Sequence, residues 1–216
     1  MTLEFILKNY KTERYKLYSD VYKNDKVSGL LGFPSYLDYF ENYLGYYAGI
    51  DDTEKLIQYA VQGLFEYKGK TYLHPHQKIW KDTGTLAKGI RNEMCAEVIN
   101  NLIENYDGLE KAIKTKEFDE IYTFVKKNKS GKFSGLDIYD TAMRIATRHG
   151  ISPKEVYLHS NSMIGFKTLE TKGLVAEDLS LKKSVKITEL PPCFEGMQPM
   201  HIEDFFSIKK VDIMRM

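Results

Sequence analysis

Apolar residues recur at helical spacing along most of this chain of 216 residues. A period of three to four residues is the signature of an amphipathic helix with one buried face. The helices predicted in this way cover residues 3–23 (as one or two helices), 36–47, 53–64, 85–106 and 109–127 (split near 114–117). Only short extended pieces are expected, near 71–73 and 181–187. The pattern therefore predicts an all-α fold of seven to nine helices.

The C-terminal part contains the clearest signals for helix starts and stops. Ser134 and Asp137 have the spacing of a capping box, and Gly150 suits the end of the helix that follows. Ser152 and Pro153 then supply a cap and a proline at the first helical position. Two helices joined by a short turn around Gly150 predict a helix-turn-helix-like corner near residues 136–161. Further along, Pro199 is predicted to begin a last helix that carries Glu203 and Asp204 on its outer side.

This corner is a candidate for nucleic-acid recognition. Residues 152–161 would form the recognition helix, and its polar positions would face the groove. A basic run precedes the corner and could contact phosphates. The candidate binding residues are Lys126, Lys127, Lys129, Lys132, Lys154, Tyr157, Ser160 and Asn161. A purely structural corner between two helices would have the same pattern of residues, so this alternative stays open.

A second function class comes from the distribution of charge. The whole chain has a net charge of +1, but residues 33–66 contain six acids and a single lysine together with many aromatic residues. Tyrosine combines an apolar ring with a polar hydroxyl and is common at interfaces. The alternative function is therefore a protein–protein interaction module without catalytic activity, which docks a partner through this acidic and aromatic region.

Length and composition agree with an ordinary globular protein. We expect a single helical domain over residues 1–216, with two lobes, 1–108 and 109–216, as the alternative. No uncharged apolar run approaches the length of a transmembrane helix, and no signal peptide is recognised at the N-terminus. The two cysteines do not suggest a disulfide framework. Together these features predict a cytoplasmic protein with no membrane contact.

Few residues suggest catalysis or metal binding. The chain contains neither a P-loop nor a G-x-S-x-G elbow. His74 and His76 have a spacing that can hold a metal on an extended segment, but they lack a nearby cysteine or a suitably spaced acid. We therefore expect loop histidines and neither a metal nor another cofactor. Whether the protein is an enzyme stays open.

Two resemblances add to this interpretation. Arg144 and His149 have the R-x4-H spacing of the HEPN ribonucleases, although Ile145 stands where that family has a polar residue. This resemblance implies an all-helical ribonuclease as a third function, with Arg144 and His149 as weak catalytic candidates. The phrases IYDTAMRI, KEVYLHSNSMIGFKTL and IEDFFSI in the last third of the chain resemble an uncharacterised family of helical bacterial proteins. That family has no assigned activity, so the second resemblance transfers no catalytic residue.

Overall fold

The structure is a computed structural model that describes residues 1–18, 30–74, 76 and 84–216. Within these residues it is mainly α-helical, which confirms the predicted fold class. The helices are α1 (Leu3–Thr12), α2 (Tyr36–Ala48), α3 (Thr53–Gln62), α4 (Gly84–Glu104), α5 (Tyr106–Lys114), α6 (Phe118–Lys127), α7 (Gly135–Arg148), α8 (Ser160–Thr171), α9 (Pro199–Ile208) and α10 (Lys210–Met214). The strands are β1 (Tyr15–Tyr18), β2 (Leu30–Phe33), β3 (Leu64–Tyr67), β4 (Lys70–Leu73), β5 (Val156–Tyr157) and β6 (Ser184–Val185), paired as β1–β2, β3–β4 and β5–β6.

The described residues form two compact units that are discontinuous in sequence. The first unit consists of residues 1–15, 34–39 and 153–216, and the second of residues 16–33 and 40–152. Neither unit coincides with a lobe of residues 1–108 or 109–216. The N-terminal helix ends at Thr12 and is followed by β1, whereas residues 19–23 of the predicted helical region lie outside the described residues.

Helix α9 is the central element of the first unit. It packs against α8, α10 and strand β5. All residues from His201 to Ser207 are buried, so this helix has no outer face in its middle part. The prediction that Glu203 and Asp204 face outward is therefore wrong, because both side chains lie in the interior. A helix that is surrounded on all sides does not show the amphipathic pattern on which that prediction relied.

Helix α7 is the central element of the second unit. It packs against α3 and α6, and every residue from Leu136 to Ala146 is buried. Its start follows the prediction: the amide of Asp137 donates to Ser134 Oγ at 3.2 Å, and the amide of Ser134 donates to Asp137 Oδ2 at 3.1 Å. Gly150 adopts a φ of 65° just after the helix, a conformation that glycine adopts without strain.

A tight hairpin connects α3 with the segment that carries the histidines. Strands β3 and β4 are antiparallel, with Tyr67 opposite Lys70. The two turn residues, Lys68 and Gly69, both have positive φ values, 50° and 73°. This is the backbone of the two-residue turn that matches the twist of a β-hairpin. The extended piece predicted at 71–73 is confirmed by strand β4.

The second helix of the predicted corner is absent, and this prediction was wrong. Residues 152–155 are irregular, and Val156 and Tyr157 form strand β5, paired with Val185 and Ser184. The next helix begins only at Ser160, where the amide of His159 donates to Ser162 Oγ at 3.0 Å. β-Branched and aromatic residues favour strands when a partner strand is present. Here that partner lies about 28 residues further along the chain, so local helix-start signals could not reveal it.

Among the described helices, none combines the length and the apolar character that a bilayer crossing requires. Neither Cys95 nor Cys193 takes part in a disulfide. Cys95 is buried within α4, and Cys193 is half-buried in a short 3-10 helix, Pro192–Phe194.

The contact between α8 and α9 yields a test of packing in the first unit. A Cβ atom added at Gly165 would lie 2.6 Å from the carbonyl oxygen of Phe206. We expect Gly165→Ala to lower the free energy of unfolding by about 1–2 kcal/mol, because overpacking outweighs the better helix propensity of alanine. The measurement is urea denaturation followed by circular dichroism.

The matched control is Gly45→Ala inside α2, where a new Cβ would meet no atom within 4 Å. This variant should gain about 0.5–1 kcal/mol, since alanine loses less conformational entropy than glycine on folding. Equal stability of the two variants would contradict the close approach of α9 to Gly165.

Candidate functional site

A buried ion pair lies inside the second unit, on helix α7. Arg144 and Asp140 are one helical turn apart, and Nη2 of the arginine is 3.1 Å from Oδ2 of the aspartate. Their side chains are 0% and 2% exposed. In the structure the pair is in the core, where each charge needs several partners.

The other nitrogens of the Arg144 guanidinium also donate hydrogen bonds. Nη1 of Arg144 donates to the carbonyl oxygen of Ala60 at 2.6 Å, and Nε donates to the hydroxyl of Tyr43. A planar guanidinium presents its donors in a fixed geometry. The three contacts therefore fix the position of α7 relative to Tyr43 on α2 and Ala60 on α3.

Two histidines complete this cluster. The amide of His74 donates to the carbonyl of Gly63 at 2.9 Å, which continues the hairpin by one residue. The ring of His74 packs on that of Tyr43, with 4.3 Å between the centroids. Nδ1 of His76 lies 3.1 Å from Oδ2 of Asp140. A single carboxylate oxygen thus faces both an imidazole and the guanidinium of Arg144.

The charges of the cluster stabilise one another. Burial alone would raise the pKa of Asp140, but the positive charges of His76 and Arg144 more than offset this and hold the pKa well below its usual range. Burial alone would lower the pKa of Arg144, but Tyr43 and Asp140 raise it above its ordinary value. Burial raises the pKa of Tyr43, so this side chain is a neutral phenol at physiological pH. The cluster therefore holds a carboxylate and a guanidinium in the core.

The same cluster brings together metal-ligand atoms. One ligand atom from each of His74, His76 and Asp140 can be chosen so that all three lie within 4.8 Å of one another. In the part of the chain that the structure describes, it is the one group of three or more such side chains with this property. Sequence reasoning found the two histidines and missed Asp140, because the acid is 64 residues from His76. The intervening residues 75 and 77–83 lie outside the described part.

The two residues of the HEPN-like spacing have different surroundings. Arg144 is fully buried in the ion pair. His149 caps the C-terminal end of α7 and lines a pocket of about 160 Å³ together with Asp51, Thr53, Tyr106 and Arg148. Burial and the positive charges of Arg148 and Lys116 lower the pKa of His149. The structure does not present Arg144 to a substrate, so the ribonuclease function receives no support from this geometry.

The basic run is exposed in the second unit. Lys126 and Lys127 lie in the last turn of α6, and Lys129 and Lys132 follow in the loop that leads to α7. All four side chains are exposed, and none forms an ion pair with a described residue.

The other predicted binding residues belong to the first unit, in a segment that is not a recognition helix. Lys154 is exposed in the irregular stretch before β5. Tyr157 is buried, with Nζ of Lys183 4.8 Å from its ring centroid. Asn161 accepts a hydrogen bond from Lys210 through Oδ1. Ser160 begins α8, and its side chain is outside the described part. A groove-reading face built from these four residues is therefore not formed.

The first unit has polar interactions of its own in the core around α9. The hydroxyl of Tyr10 donates to Asp204 Oδ2 at 2.7 Å. Nε2 of His159 is 3.4 Å from Glu203 Oε1, which also accepts from the hydroxyl of Ser207 at 2.9 Å. Burial, together with the nearby charge of Asp204, raises the pKa of Tyr36. The two acids that were predicted outside thus anchor α9 to α1 and to the start of α8.

The ion pair yields a prediction for stability. Arg144→Met should lower the free energy of unfolding by about 3–5 kcal/mol, because it leaves the carboxylate of Asp140 buried without the counter-charge of the guanidinium. Adding Asp140→Asn to this variant should recover part of the loss, since the uncompensated charge is then gone. The control is Lys114→Met, which removes an exposed pair with Glu110 and should change stability by about 0.5 kcal/mol or less. Additive losses in the double variant would contradict the pairing.

The lowered pKa of Asp140 yields a prediction for acid stability. A carboxyl whose pKa is lowered by folding contributes stability above its unfolded pKa of about 3.9, and this contribution is lost as pH falls through the folded pKa. We therefore expect the parent protein to lose stability steadily below about pH 5. The Asp140→Asn variant should lose less free energy of unfolding over the same pH range. Denaturation at several pH values from 7 to 2 measures both curves, and identical slopes would contradict the assignment.

The comparisons with known proteins give no relative for this chain: no protein-family model, no curated protein and no solved structure matches it.

Proposed function

We propose that this protein binds nucleic acid through the phosphate backbone and that Lys126, Lys127, Lys129 and Lys132 supply the contacts. The observation that carries the proposal is the exposed position of four ammonium groups within seven residues. No acidic residue occurs between positions 121 and 136. Uncompensated positive charge of this density attracts the phosphates of a nucleic acid and displaces their counterions.

The backbone that carries these lysines is held in place. The side-chain amide of Asn128 donates to the carbonyl of Phe124 at 2.9 Å, and that of Asn101 donates to the carbonyl of Asn128 at 3.2 Å. The hydroxyl of Ser130 donates to a carboxylate oxygen of Glu97, and Phe133 is buried. A fixed loop loses less conformational entropy on binding than a disordered basic tail.

The proposal is restricted to binding without recognition of base sequence. Phosphate contacts determine position and affinity, whereas base contacts determine specificity. Residues 152–161, which were expected to enter the major groove as a helix, form an irregular stretch, strand β5 and the first residues of α8. The exposed lysines alone act as point charges and suit any strand of phosphates.

The alternative of a docked protein partner receives less support from the geometry. The aromatic residues of region 33–66 that would anchor a partner are mostly core residues: Phe33, Tyr36, Tyr39, Phe40, Tyr43 and Tyr47 are all buried. The half-buried phenols of Tyr46 and Tyr59 both donate to Glu66. Most of the aromatic rings of this region are therefore not available to a partner.

The test is a salt titration of binding to duplex DNA, single-stranded DNA and RNA. Replacing Lys126, Lys127 and Lys129 with alanine should weaken binding to every sequence. It should also reduce the slope of log K against log salt by up to about three units, one for each lost phosphate contact. These side chains are exposed, so the far-UV circular dichroism spectrum should not change.

The matched control replaces Lys8, Lys167 and Lys172, which are exposed lysines of the first unit. This variant has the same change in net charge and should keep most of the affinity and the slope. If the first variant binds as tightly as the parent at low salt, or if both variants lose the same affinity, the proposed surface is wrong.

A further inference from the structure

We propose that His74, His76 and Asp140 form a binding site for a divalent transition-metal ion, with zinc as the best-suited member of the class. The site is in the second unit and shares no residue with the basic run. It therefore goes beyond nucleic-acid binding and does not depend on it.

The distances are close to those of a metal site. Ligands at about 2.0–2.1 Å from a tetrahedral zinc ion lie roughly 3.3 Å apart from one another. The three ligand atoms here lie within 4.8 Å of one another. Contraction around an ion needs a displacement of about 1 Å for each side chain, which is within the range that small rotations of the side chains cover.

The ligand set has the right chemistry. Two imidazole nitrogens and a carboxylate oxygen form a set that zinc and iron(II) sites use, and three protein ligands leave further positions open. His74 continues the β3–β4 hairpin through its hydrogen bond to Gly63, and the amide of His76 donates to Nδ1 of His74 at 3.3 Å. Asp140 comes from the buried middle of α7. His74 and Asp140 thus lie on elements that are held by their own contacts.

Arg144 is a positioning residue for this site. It holds Asp140 at 3.1 Å and is itself held by Ala60 and Tyr43. Outer-shell partners of this kind orient metal ligands, and their loss typically lowers metal affinity by about 10–100-fold.

The net charge of the site limits which further ligands can complete the coordination of the metal ion. With neutral imidazoles, Asp140 and Arg144 cancel, so a divalent ion adds two uncompensated positive charges to a buried place. A buried charge needs compensation. The open positions are therefore suited to an anionic ligand, such as hydroxide or the carboxylate or phosphate group of a small molecule.

The test starts from the whole purified chain after treatment with a chelator. Zinc is titrated calorimetrically, and cobalt(II) is titrated as a probe because four-coordinate cobalt has a characteristic visible absorption. The parent should bind one ion per chain, and zinc should raise its melting temperature. His74→Ala and His76→Ala should each lower the affinity for zinc by more than about 10–100-fold, since a ligand contributes more to affinity than an outer-shell partner does.

The control His149→Ala removes a half-exposed histidine of the same unit that is not part of the cluster and should bind zinc like the parent. Circular dichroism checks that each variant is folded, and the stoichiometry of the parent tests the site without any variant. The proposal is overturned if the parent does not bind one equivalent of zinc per chain. It is also overturned if the folded His74→Ala and His76→Ala variants bind zinc as tightly as the His149→Ala control. The lysine variants should not change zinc binding, so the two proposals can fail separately.

Discussion

The buried pair of Asp140 and Arg144 is the interaction on which the second unit depends. Two charges in the core lose their hydration, and their mutual attraction offsets this loss only when the remaining donors and acceptors are also satisfied. Ala60, Tyr43 and His76 meet this requirement around the pair. The need to satisfy one guanidinium and one carboxylate thus fixes α2, α3, α7 and the segment after β4 in a single arrangement.

The same arrangement also brings the ligand atoms of the proposed metal site close to one another. Here an imidazole nitrogen lies against the carboxylate, and a second imidazole stacks on Tyr43 close by. Asp140 is therefore both a structural anchor and the carboxylate ligand of the proposed metal site.

The first unit follows the same physical rule with different residues. Its central helix α9 is buried on all sides and carries two acids, Glu203 and Asp204. Tyr10, Ser207 and His159 surround these acids. In both units a helix that carries acids lies in the core, and residues distant in sequence supply the partners. The exposed lysines in the last turn of α6 and in the loop after it differ from both clusters, because solvent hydrates their charges.

The sequence by itself determined those features that depend on short-range interactions. Asp52 caps α3, Ser134 and Asp137 form the capping box, the Lys68–Gly69 turn closes a hairpin, and the break predicted near residues 114–117 separates α5 from α6. Only the tertiary structure decided that residues 156–157 are a strand, that the acids of α7 and α9 are buried, and that Asp140 meets His76. The physical reason is that strand pairing and the burial of a charge depend on groups from distant parts of the chain. A local pattern of apolar and polar residues does not contain that information.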